Sequence, residues 1–123
     1  MSTGTPAATA SVSTHILDTT AGRPARGVPV TLSVRTGGAG QWRDHGASRT
    51  DADGRCRDLP ALPESITHAR LVFETADYFE SGDRSESGVF FPEVAVAFAV
   101  APGAHYHVPL LLNPFGYSVY RGS

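Results

Sequence analysis

The 123-residue chain contains no lysine; all ten of its basic residues are arginine. Schiff-base chemistry on a side-chain amine is thereby excluded, and the bias is what an arginine-rich coding sequence produces. Cysteine is almost as scarce. Cys56 stands alone, so no internal disulfide can form and the fold does not depend on an oxidising compartment. No hydrophobic run approaches the roughly 20 residues a membrane-spanning helix needs. The first ten residues lack the basic segment and apolar core of a secretory signal. Charge of one sign is missing too: a net charge of -2 leaves no electrostatic footprint for nucleic acid or an anionic membrane. These absences together describe a cytoplasmic soluble protein without nucleic-acid or membrane partners. The length suits one domain, able to bury about two-thirds of its unfolded surface.

What is present reads as short strands between turns. Met1 to Ser11 is rich in Ser, Thr, Ala and Gly without periodicity and is expected to be a disordered leader, with the folded domain spanning 12–123. Val12–Leu17 is a first strand. From Gly27, Val28, Val30, Leu32 and Val34 alternate with Pro29, Thr31 and Ser33, the pattern of a half-buried strand. Gln41–Thr50 follows as a third, with Trp42 on one face, and Asp51-Ala52-Asp53-Gly54 makes a tight turn. Arg55–Leu59 and Ala69–Thr75 are the next two strands. Thr75–Gly82 is the one expected helix, with Thr75 as N-cap and Gly82 as stop. Val94–Val100 alternates Val and Phe with Ala, a strand packed on both sides. His105–Leu112 and Tyr117–Tyr120 complete a set of about eight. Strands at this spacing, with almost no helix, predict an all-β antiparallel sandwich.

The polar groups concentrate in few places. His105 and His107 share one face of a strand, since residues i and i+2 point the same way. The hairpin that follows ends in Tyr120-Arg121-Gly122-Ser123, a phenol, a guanidinium and a hydroxyl on a strand whose Leu110–Leu112 and Phe115–Tyr117 must pack to hold it. His15 lies on a strand face with Leu17, opposite Val12, Thr14 and Ile16. Arg55 directly follows the tight turn. A histidine on a strand is commonly structural, and an arginine after a turn is commonly solvated, so each alone says little. Two histidines on one face plus a third from elsewhere also fit a catalytic zinc site, although this segment offers no carboxylate to support the ligands. Calcium at the Asp51–Gly54 turn fails, because the twelfth position counted from Asp51 is Leu62 rather than Glu. His45 and His68 sit in polar contexts and read as surface residues.

Taken together, His15-Ile16-Leu17-Asp18, Gly22-Arg23-Pro24-Ala25, Asp53-Gly54-Arg55, Asp77-Tyr78-Phe79, Phe91-Pro92-Glu93 and the Tyr120–Ser123 ending resemble the transthyretin-related 5-hydroxyisourate hydrolases. The resemblance runs from about Thr14 to Ser123, and the ending resembles the tetrapeptide that separates these hydrolases from transthyretin, the hormone carrier of the same fold. Asn113, Phe115 and Val119 stand where Ser, Tyr and Thr are often found, positions of hairpin packing rather than chemistry.

The resemblance implies a transthyretin-like eight-stranded sandwich with one short helix, assembled as a homotetramer of two dimers with sites between them. It implies opening of 5-hydroxyisourate, the product of urate oxidation in purine catabolism, to 2-oxo-4-hydroxy-4-carboxy-5-ureidoimidazoline, with no cofactor and no metal. Carried onto this chain, the catalytic residues are His15, Arg55 and His107. Substrate would be held by His15, Arg55, Tyr120, Arg121 and Ser123; His105, which shares a strand face with His107, is expected to support the site without touching substrate. Histidine changes charge near neutrality, so His107 or His15 could take a proton from attacking water while the other serves substrate or leaving nitrogen. Three other classes stay open: a non-catalytic carrier of a small aromatic ligand, a zinc hydrolase, and an adhesion-type sandwich with an inert tail.

Overall fold

The computed structural model describes residues 9–80 and 89–123. Nine strands and one helix lie among them: β1 (Ser11–Asp18), β2 (Arg23–Pro24), β3 (Pro29–Arg35), β4 (Arg43–Arg49), β5 (Arg55–Cys56), β6 (His68–Phe73), α1 (Thr75–Glu80), β7 (Val94–Ala99), β8 (His105–Asn113) and β9 (Gly116–Val119). They form two sheets, one ordered β2-β1-β8-β9 with β5 also on β1, the other β4-β3-β6-β7. Alternating burial drives this layering. Val12, Thr14 and Ile16 of β1 and Tyr106, Val108, Leu110 and Leu112 of β8 face inward, against Leu32, Leu71 and Phe73 of the other sheet. Fully burying each large side chain of this kind is worth roughly 1.5–3 kcal/mol, which makes the period-2 pattern decisive.

The sandwich expected from the pattern is the fold observed, with differences of detail. β1 and β8 pair in parallel, from Ser11 opposite His105 to Asp18 opposite Leu112, whereas the other pairings are antiparallel. A parallel pair needs a long crossover, and here most of the chain, including the whole second sheet, lies between the two strands. β1 begins at Ser11, one residue ahead of the strand start expected at Val12, and Ala10 is buried. β4 is shorter than Gln41–Thr50 and carries a bulge: Leu32 pairs with Gly46 and Ser33 with Asp44, which leaves His45 as the extra residue. β5 is only two residues long because it pairs with Thr14 and His15 alone. In β7 only one face is covered; Ala95, Ala97 and Ala99 are exposed, against the expectation of packing on both sides. The Thr75 hydroxyl donates to the Phe91 carbonyl, tying the start of α1 to the segment before β7. The expected stop at Gly82 lies outside the described residues. Among those residues, no helix is long and apolar enough to cross a membrane.

Two buried polar groups hold β1 in place. The Thr14 hydroxyl donates to the Val108 carbonyl across the parallel pair. Asp18 accepts the Thr20 and Ala21 backbone N–H groups at 3.0 and 2.9 Å with one oxygen and the Tyr78 hydroxyl at 2.7 Å with the other. A buried carboxylate is costly unless hydrogen-bonded, and these partners satisfy it while joining the first sheet to α1.

Candidate active site

The parallel pairing of β1 with β8 lays two sets of polar residues side by side. With inward positions filled by apolar side chains, the outer face of β1 carries Ser11, Ser13 and His15, and that of β8 carries His105 and His107. Register sets Ser11 opposite His105 and Ser13 opposite His107. Side chains directly opposite one another across a pair share a face and meet. The Ser13 hydroxyl bonds His107 Nδ1 at 2.8 Å and His105 Nε2 at 2.9 Å, and the Ser11 hydroxyl bonds His105 Nδ1 at 2.6 Å.

Arg55 reaches the same face from the other edge of β1, where β5 sets it opposite His15. Its placement follows from the turn before it. Asp51 accepts the backbone N–H groups of Asp53 and Arg55 with its side chain and that of Gly54 with its carbonyl. Gly54 closes the turn at φ 76°, a conformation glycine adopts without cost. Its own carbonyl accepts the Ile16 N–H at 2.8 Å, and a Cβ there would lie 2.5 Å from the Ile16 carbonyl oxygen. Glycine is required by both conformation and space. The Arg55 N–H also holds the Asp51 carboxyl below its ordinary range.

His107 is half-buried, and that burial pushes its pKa below the ordinary imidazole value; Arg55, His15 and His105 lower it further by charge. The ring is thereby kept neutral, with a lone pair available, beside a guanidinium that stays charged. Such a pair can take a proton from water and stabilise an oxyanion. Among the described residues no group of three or more His, Cys, Asp or Glu is placed to hold a metal ion.

The tail behaves differently from the expectation of one convergent site. The Gly122 N–H donates to the His107 carbonyl at 2.8 Å, and a Cβ on Gly122 would lie 2.8 Å from His107 Cδ2, so only glycine leaves room for this ring. Tyr120 and Arg121, however, do not face the histidines within one chain. They line a cleft of about 240 Å³ with Val96, Phe98, Tyr106 and Val108, beside the inward face of β8. The reason is local: β9 pairs with β8 only as far as Val119, after which the Arg121 guanidinium settles 4.6 Å from the centre of the Tyr106 ring. Ser123 is exposed. The chain thus brings together His15, Arg55, His107 and His105, and holds the side chains of Tyr120 and Arg121 apart from them. The sequence reading missed Ser11 and Ser13. Their alternation with His15 was visible, but only the register with β8 shows which groups they touch.

His45 donates Nε2–H to the Ala61 carbonyl, and His68 pairs with Thr67, both away from this face.

Comparison with known proteins follows the same lines. Residues 12–122 match the model of the HIUase/Transthyretin family. The chain is 44% identical over 114 residues to the 5-hydroxyisourate hydrolase of Caulobacter vibrioides, covering 91% of this chain and 97% of that protein. It is similar to the structure of Klebsiella pneumoniae 5-hydroxyisourate hydrolase, with a TM-score of 0.74, 35% identity and coverage of 93% and 94%. It is also similar to sea bream transthyretin in complex with thyroxine, with a TM-score of 0.78, 29% identity and coverage of 90% and 93%.

Proposed function

This chain belongs to the HIUase/Transthyretin family, and on that premise we propose that it is a hydrolase that opens 5-hydroxyisourate to 2-oxo-4-hydroxy-4-carboxy-5-ureidoimidazoline in urate degradation. One observation carries the choice of residues: three strands bring His15, Arg55 and His107 to a single face, where a half-buried imidazole is held neutral beside a guanidinium. In this reading His107 takes the proton from water as it attacks the ring carbonyl. Arg55 holds the carbonyl oxygens and stabilises the negative charge that develops there. His15, opposite Arg55, orients the ring and returns a proton to the leaving nitrogen. Tyr120, Arg121 and Ser123 contact substrate only where chains meet, because within one chain the first two face another cleft.

The assembly we propose is a homotetramer of two dimers with sites in the channel between them. Among the described residues β7 and β9 each end a sheet with an unpaired edge, and Phe90, Phe115 and Tyr120 are exposed, a surface that association would cover. A single cysteine, buried and unpaired, suits a cytoplasmic place of action.

The test is loss of 5-hydroxyisourate absorbance on adding protein to freshly generated substrate. His107→Ala should lower kcat by roughly 10²–10⁴; near-normal turnover removes His107 from the role of base. A carrier of an aromatic ligand, the reading that similarity to transthyretin favours, predicts no turnover by the wild-type protein. The polar set on this face speaks against it, since such ligands select largely apolar pockets.

A further inference from the structure

Ser11, His105, Ser13 and His107 form an unbroken hydrogen-bonded chain along the outer face of the β1–β8 pair. Hydrolysis of a ring amide to a carboxylate and a ureido nitrogen releases one proton at neutral pH: the new carboxylic acid replaces the proton that His15 gives to the leaving nitrogen, and the proton taken from water is left over, because a ureido nitrogen is too weak a base to keep it. Each turnover therefore needs a route outward for one proton. We propose that Ser13 and His105 are that route, carrying a proton from His107 through Ser11 to solvent.

The accounting follows from single protons on single atoms. Ser13 Oγ has one hydrogen and two ring partners, so it donates one bond and accepts the other. When it donates to His105 Nε2, it accepts from His107 Nδ1–H, which leaves the lone pair of His107 on Nε2. His105 then carries its proton on Nδ1 and donates to Ser11. When water is deprotonated, a proton binds His107 Nε2. The Nδ1 proton passes to Ser13, the Ser13 proton to His105 Nε2, the His105 Nδ1 proton to Ser11, and the Ser11 proton to bulk water. Every group ends neutral, both rings have changed tautomer together, and one proton has left; once product departs, His107 Nε2 gives its proton to water as Ser11 takes one up, and the bonds run back to their first arrangement. Half-burial of His107 and exposure of His105 give the chain its direction, from the sheltered end to the open one. The groups facing His107 are Ser13 and His15 on β1, Arg55 on β5 and His105 on β8; of these, only Ser13 is hydrogen-bonded to its ring. Ser13 and His105 act through His107 and are positioning residues.

This inference rests on His107 accepting a proton from water, and its test has one arm independent of turnover. Nitrogen-15 NMR of the imidazoles in the wild-type protein should show His105 and His107 in the same neutral tautomer, and Ser13→Ala should uncouple them. In the assay, Ser13→Ala should lower kcat roughly tenfold with KM within about twofold, and Ser13→Thr, which keeps the hydroxyl, should restore it. His105→Ala should lose a similar amount in dilute buffer and regain it, saturably, with added imidazole. Opposite tautomers in the wild type overturn the relay, as does a Ser13→Ala variant with unchanged kcat. A wild-type protein that leaves 5-hydroxyisourate intact overturns the proposed substrate, while the tautomer measurement still decides whether the chain of bonds exists.

Discussion

His107 is surrounded by groups that disfavour its proton: its own burial, then Arg55, His15 and His105. Its titration should therefore fall below the ordinary 6.5, and Arg55→Gln should move it upward by removing a fixed positive charge that opposes its proton. Proton NMR of the ring Cε1–H across pH would show this; an unmoved or lowered titration in the variant would mean that the two side chains do not interact. The sign carries over to stability and activity. A ring whose folded pKa is depressed keeps its full contribution above 6.5 and loses it as pH falls through the lowered value. Acid, not base, is the direction in which this site should fail.

At the level of elements, the tight turn before β5 is the part on which Arg55 depends. Gly54→Ala would force a non-glycine residue to φ 76° with its Cβ 2.5 Å from the Ile16 carbonyl oxygen. We expect a loss of about 1–3 kcal/mol, read from the denaturant midpoint, with a larger loss in kcat/KM as Arg55 leaves its register with His15. Unchanged stability would show that the turn relaxes freely. This turn was legible from the sequence because Asp-Ala-Asp-Gly has local chemistry. So were the strands carrying Val30, Leu32 and Val34, or His105 and His107, since alternation is a property of the strand itself. Less legible were features set by partners distant in sequence. The two-residue length of β5, the bulge at His45 and the parallel pairing of β1 with β8 all depend on what lies alongside. Ser13 belongs to that second group: a serine on a strand says nothing until Thr14 turns inward to Val108 and Ser13 outward to two imidazoles. The ending was legible as a motif, but the aim of Tyr120 and Arg121 was not, because a contact with Tyr106 decides it.

For the whole molecule, β7 and β9 each pair on one side and have no strand on the other among the described residues, and large aromatic side chains stand in solvent. A 13.0 kDa chain with these edges should not persist alone. Sedimentation velocity at micromolar concentration should give a species of about four chains, the count that a dimer of dimers demands. A monomer at that concentration with full activity would show that one chain holds a complete site and would remove the channel between dimers from the reading.

The parallel partnership of β1 and β8 also orders events in time. Ser13 and His107 are 94 residues apart along the polypeptide, so β1 leaves the ribosome well before β8 and cannot find its neighbour until the intervening chain has been made. Closing so long a loop is slow, and the nascent β1 edge stays open meanwhile. A transcript cut short before the eighth strand would yield no weakened enzyme but an inert, adhesive fragment, with half of every hydrogen bond in the relay missing.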